Sequence, residues 1–316
     1  MVNDSTNARF PGINAVKSKS FYLQRTWMLY LMLVLPMVFF LVFRYIPMTN
    51  IVIAFKDYNI FRTAWDSPWV GLQWFSRAFQ NRDFFNALRN TLVLNILDLV
   101  MGFPAPIILA LLLNELTSKG YKRITQTVIY LPHFLSWIII AGISIQLFAP
   151  SGGVINIMLG KMGFGPIDFL MDRKLWIGTY IGMGVWKEMG WGTIIYLAAI
   201  TGINPELYEA AEVDGANRWR KIWHVTLPGI RPTIVVLLIM NLGRILGSEF
   251  DRPYALTNPA VNQVADVLST LVYRVGIRSS QFSLTAAIGL FQSVVCVLFL
   301  VAANGLAKKA GERGIW

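Results

Sequence analysis

Residues 205–232 read PELYEAAEVDGANRWRKIWHVTLPGIRP, a polar, mixed-charge stretch set between two long apolar runs. Pro205 suits the first turn of a helix with Asn204 as its N-cap, and Glu206, Glu209 and Glu212 recur at three-residue spacing where a helix N-terminus favours negative charge. The spacing predicts a short helix from Pro205 to Asp214. Gly215 permits the positive φ that closes a helix, and Ala216 to Thr226 reopens helical periodicity. Trp219, Ile222, Trp223 and Thr226 share one side of that second helix and Arg218 and Lys221 the other, with Leu227-Pro228 expected to stop it. Two short helices meeting at a glycine, tethered at both ends to apolar spans, form a knob that a soluble partner could grip. The plainer reading is a loop of amphipathic helices lying on the membrane surface.

The residues themselves separate the two. Glu209-Ala210-Ala211, three residues, Gly215, nine residues, Val225, one residue and Leu227-Pro228 resemble the EAA motif of the membrane subunits of binding-protein-dependent ABC importers. Asp214 and Ala216 flank the glycine as they commonly do in that family, and Val225 replaces its usual isoleucine, a difference of one methylene. The resemblance implies an all-α polytopic chain of six transmembrane helices with the type I ABC importer permease fold. It implies that Glu209, Ala210, Ala211, Asp214, Gly215, Ala216, Leu227 and Pro228 form a cytoplasmic coupling loop docked on an ATP-binding subunit, the alanines allowing close backbone approach. ATP and Mg would be bound on that partner and no cofactor by this chain. The further partners implied are a second permease, most simply in a heterodimer, and a soluble substrate-binding protein.

Composition agrees with a membrane setting. The 316 residues are 55% hydrophobic and 14% charged, well below the roughly 25% charge of soluble domains. A net charge of +11 could point to nucleic acid, but basic residues also collect in cytoplasmic loops and beside lipid headgroups, so membrane lipid is the expected contact. The one cysteine, Cys296, allows no intrachain disulfide, and His133 and His224 are far apart in sequence and read as structural, so no metal site is expected. No Walker phosphate loop occurs: Gly160-Lys161 is followed by Met162 and preceded by Ile155 at the leading-glycine position. This excludes ATP hydrolysis by the chain itself, and no nucleophile elbow or zincin helix supports an enzyme.

Along the chain, residues 1–26 form a polar tail with Arg9, Lys17, Lys19 and Arg25 against Asp4, expected to be cytoplasmic. Residues 27–48 make a first span and 49–85 an outer, aromatic-rich interfacial segment. A five-span core is expected over 86–310, with spans near 91–113, 126–149, 175–200, 233–250 and 284–307, the coupling loop at 201–232 and a cytoplasmic end at 311–316. The second span carries Asn95, Asp98, Pro104 and Pro106, the marks of a kink. Gly178-x3-Gly182 and Gly243-x3-Gly247 match a helix-contact pattern. The basic clusters Lys119, Lys122, Arg123 and Arg218, Arg220, Lys221 place the hub and both termini in the cytoplasm of a prokaryote, the chain being multi-pass in its inner (plasma) membrane.

A charge at mid-bilayer costs about 2.5–3.5 kcal/mol, so Lys187, Glu188 and Arg244 each require a partner or a water-filled path. Glu188 could pair with Arg244 on the next span or with Lys187 beside it, a purely structural role; alternatively Lys187, Glu188, Trp191, Tyr196, Asn241 and Arg244 line a substrate path with aromatic faces for sugar rings and cations for carboxylates. The run Gly247-Ser248-Glu249-Phe250-Asp251, then Asn258-Pro259-Ala260-Val261, Asp266-Val267-Leu268 and Tyr273-Arg274-Val275-Gly276 resembles the permeases for polysaccharides and acidic oligosaccharides such as aldouronate and alginate. The function this implies is carbohydrate import, of an acidic oligo- or polysaccharide such as alginate, through a path shared with the second permease. The alternatives are an ion-coupled secondary transporter, with Asp98, Lys187 and Glu188 carrying protons, and a structural anchoring subunit.

Overall fold

The computed structural model describes residues 19–316 other than Ser248 and Arg313, with side chains from Thr26 onward. Asp4, Arg9, Lys17 and Ser248 therefore lie outside the described residues, as do the side chains of Lys19 and Arg25. The chain forms two compact units, residues 1–52 and 53–316. The first contains the helix Lys19–Phe40, which begins eight residues before the expected span and continues through a π turn at Leu41–Tyr45. Its side chains from Trp27 to Tyr45 are exposed, as suits a helix whose solvent is lipid.

The second unit is helical, with a single isolated bridge between Lys56 and Trp69 among its described residues. Part of the aromatic segment 49–85 is folded rather than spread along an interface. Trp74 Nε1 (3.0 Å) and Ser283 Oγ (2.7 Å) both donate to the Lys56 carbonyl, while Lys56 Nζ donates to Trp65 O (2.6 Å). Among the described residues of the chain, four helices are long and apolar enough to cross a membrane: Thr26–Phe55, Arg82–Asn114, Arg218–Leu242 and Phe282–Lys309. A fifth crossing is available if the bent pair Lys119–Phe134 and Trp137–Phe148 is one span.

That pair departs from the single third span expected. The two pieces meet at 104°, because Pro132 and the capping Ser136 interrupt the helical ladder between them. Helix Arg173–Thr201, by contrast, runs unbroken for 29 residues straight through Trp186-Lys187-Glu188. It occupies the centre of the unit, against Pro104–Asn114, Arg82–Gly102 and Leu227–Leu242, and buries eleven residues. A helix surrounded by protein can carry glycine and charge that a lipid-facing one could not. Its close approach is made at Gly190, where a Cβ would stand 2.2 Å from Ile129 O, and at Gly184; Gly178 and Gly182, the expected contact pair, face open space.

The fifth span is also displaced. Arg218–Lys221, a π turn over Ile222–Thr226 and Leu227–Leu242 form one continuous helix, so Leu227-Pro228 does not stop it. The π turn is the reason: Leu227 N–H donates to Ile222 O, five residues back, and Pro228 then falls in the first turn of the α-helix that follows, where its missing N–H costs nothing. The helix ends at Leu242, and the described residues from 243 to 281 fold as turns and short helices instead of completing the crossing to residue 250.

Candidate functional site

The hub is built by local signals. Asn204 Oδ1 accepts from Glu206 N–H (3.1 Å) to start helix Pro205–Val213. At its other end Gly215 takes φ +75°, Gly215 N–H donates to Glu212 O (3.0 Å) and Ala216 N–H to Ala211 O (2.8 Å), the paired bonds of a Schellman cap. Asn217 then caps Arg218–Lys221, and Tyr208 OH lies 3.0 Å from Thr226 Oγ1, fastening the two helices together. Glu209, Ala210, Asp214, Gly215 and Pro228 are exposed, and Ala211, Ala216 and Leu227 are half-buried. Val213, 88% exposed, presents bare apolar surface beside them.

The mid-span residues separate into three groups. Lys187 is buried, and its Nζ donates to His133 O (2.8 Å) and lies 3.1 Å from Glu188 Oε1. It thus caps a carbonyl left free by the break in the bent span and keeps that charge paired within its own helix. Glu188 Oε2 reaches His133 Nδ1 (3.0 Å), and the His133 ring stacks on Trp191 with centroids 4.6 Å apart and planes 7° apart. Glu188 and Trp191 are exposed, so the face shown outward is Glu188, His133 and the indole rather than the ammonium. Tyr196 is 2% exposed, packed with Leu113 and Ile230. Arg244 lies in the turn after Leu242, exposed and, among the described residues, without an ion pair; the Glu188–Arg244 pair does not form. Asn241, also exposed, donates to Leu237 O (2.8 Å).

Sequence reasoning missed a second polar centre. One stripe of helix Arg82–Gly102 serves the irregular chain after Leu242. Asn90 Nδ2 donates to Gln263 O and Asp266 O (both 2.9 Å), Thr91 Oγ1 accepts from Leu268 N–H (2.9 Å), and Asn95 Nδ2 donates to Ile245 O (2.7 Å). Asp98 takes both arms of Arg252, at 2.6 and 3.1 Å, and Arg252 Nη2 also donates to Tyr180 O (2.6 Å). The guanidinium lies 3.8 Å from the Tyr180 ring centroid and 5.1 Å from that of Trp137, in space left by Gly184, where a Cβ would stand 2.2 Å from Nη2. Irregular backbone needs partners for its polar groups, and here side chains of helix Arg82–Gly102 supply them. The available signal was Asp98, a mid-span carboxylate with no partner near it in sequence.

The family model described as binding-protein-dependent transport system inner membrane component matches residues 84–311, and the chain belongs to this family. It is an ABC importer permease, a transport component and not a catalytic subunit. It is 46% identical over 294 residues to Protein LplB of Bacillus subtilis (strain 168), covering 93% of this chain and 92% of that one. Identity is 47% over 288 residues, 91% and 90% of the two chains, to the polygalacturonan/rhamnogalacturonan transport system permease protein YteP of the same organism. A chain from the crystal structure of a bacterial alginate ABC transporter, in complex with an alginate pentasaccharide-bound periplasmic protein, superposes with a TM-score of 0.85 at 41% identity, covering 94% of this chain and 99% of that one. A carrier that works without a binding protein, the ion-coupled alternative, is a different class.

Proposed function

We propose that this chain is one of two permeases enclosing the path of an ATP-driven importer for acidic oligo- or polysaccharides of the alginate and pectin type. The relatives for polygalacturonan/rhamnogalacturonan and the structural neighbour for alginate support the carbohydrate class. Arg244 carries the acidic part of the reading: an exposed cation, without an ion pair among the described residues, beyond the end of a spanning helix has water, a partner chain or an anionic substrate as its neighbour, not lipid. Trp191, backed by the stacked His133, offers a flat face to a sugar ring, and Glu188 offers acceptors to its hydroxyls.

The hub at 201–232 is the coupling loop in this proposal. Its small residues Ala210, Ala211, Gly215 and Ala216 form the surface on which an ATP-binding cassette subunit approaches, with ATP and Mg held there. Closure of the ATPase pair pushes the hubs, and because Arg218–Leu242 is one continuous helix the push passes directly into a span. Six crossings, with both termini cytoplasmic, follow if the bent pair and the 29-residue central helix each cross once. The test is purification of the tagged chain in mild detergent with its co-purifying chains identified. Recovery of a second permease and a Walker-motif ATPase, the ATPase lost on Gly215→Pro, is the expected result; a chain that purifies alone refutes the reading.

A further inference from the structure

Both interrupted spans converge on one side chain. Trp137 begins helix Trp137–Phe148, immediately after the break in the bent span, and is 6% exposed. Over its ring lies Lys187 Nζ, 5.6 Å from the centroid, the ammonium that caps His133 O at the break. Over the same ring lies the Arg252 guanidinium at 5.1 Å, which ties the irregular segment after Leu242 to Asp98 and to the Tyr180 carbonyl. Its Nε1 donates to Glu249 Oε2 (2.9 Å), five residues past Arg244. An indole is the best aromatic acceptor of cations and has one N–H, and here both capacities are used at once.

We infer that Trp137 is a positioning residue that locks the two breaks into a single moving body. Two cations within reach of one ring in a site that excludes water are held by the ring's negative faces, and each cation in turn is fixed to backbone on a different span. The Glu249 bond pins the segment that carries Arg244. Trp137 therefore sets the spacing between the groups exposed at the first break, Glu188, His133 and Trp191, and the guanidinium of Arg244 at the second. A phenylalanine keeps a cation-binding face and loses the N–H; a leucine loses both.

Two measurements test this on the complete transporter reconstituted with its partner subunits. In the first, spin labels at Phe134→Cys and Asp251→Cys in a Cys296→Ser background, both at exposed positions, report the distance between the breaks with and without ATP. An unchanged, narrow distance in both states is expected with Trp137 present, and a broad or nucleotide-dependent one with Trp137→Leu. A distance that shifts between states in the Trp137 protein overturns the proposal, whatever the transported solute. The second compares initial uptake rates of an acidic and a neutral oligosaccharide, and rests on the proposed substrate class. Trp137→Leu is expected to cut the acidic-to-neutral rate ratio at least five-fold and Trp137→Phe, which loses only the bond to Glu249, about two- to three-fold. Equal slowing of both sugars by Leu and Phe alike would assign Trp137 to packing alone.

Discussion

Asp98→Leu isolates the polar centre between helix Arg82–Gly102 and the chain after Leu242. The Arg252 side chain is 8% exposed, and the change removes both of its carboxylate bonds, leaving Tyr180 O and two aromatic faces. Stripping one partner from a buried pair costs about 3–5 kcal/mol. Because Asp98 is 28% exposed and Arg252 keeps one strong hydrogen bond, the lower end, about 3 kcal/mol, applies. At about 2–4 °C per kcal/mol, the purified protein is expected to melt some 6–12 °C early. Replacing both partners with apolar residues, Asp98→Leu with Arg252→Met, removes the stranded charge and is expected to restore most of that loss. Thermal unfolding of four proteins, the wild type, Asp98→Leu, Arg252→Met and the double variant, followed by near-UV circular dichroism in one detergent, is the assay. A single variant that melts with the wild type, or a double variant with the sum of the two single losses, would refute the reasoning.

Three further outcomes follow from the geometry. Gly215→Pro, which removes the N–H bonded to Glu212 O and forbids φ +75°, and Ala211→Glu, which places charge on the hub face, should each abolish binding-protein-dependent uptake while leaving expression intact, read by vesicle transport. Arg244→Ala should weaken uptake of an acidic oligosaccharide by roughly ten-fold, the value of one charge-assisted hydrogen bond, and of a neutral one by less than two-fold. Lys187→Met strands the His133 carbonyl and deprives Glu188 of its cation, so amide exchange around residues 131–136 should accelerate without change at the hub.

The hub's boundaries were legible because their causes are local: Asn204 caps two residues ahead, Pro205 sets φ, and Gly215 supplies the left-handed turn. The continuation through Pro228 was not, since a π turn has no residue signature and only its placement removes the need for the proline's N–H. The break in the third span hides in an apolar run, with Pro132 and Ser136 as its only sequence marks. Lys187 does lie beside Glu188, one of the two pairings the sequence offered, but its hydrogen bond goes to a backbone carbonyl, which no residue type announces, and Arg244 lies past its helix without an ion pair among the described residues. The partner of Asp98 is Arg252, 154 positions away in what reads as an outer loop.

Those separations bear on how the chain is made. Asn95, Asp98, Asn90 and Thr91 find their partners 150, 154, 173 and 177 residues later. At about 5–20 residues per second, a ribosome takes roughly ten to thirty seconds to synthesise them. For that interval a membrane-inserted helix holds a carboxylate and two amides with nothing from its own chain to meet them. The second span is completed only when residues 245–268 emerge.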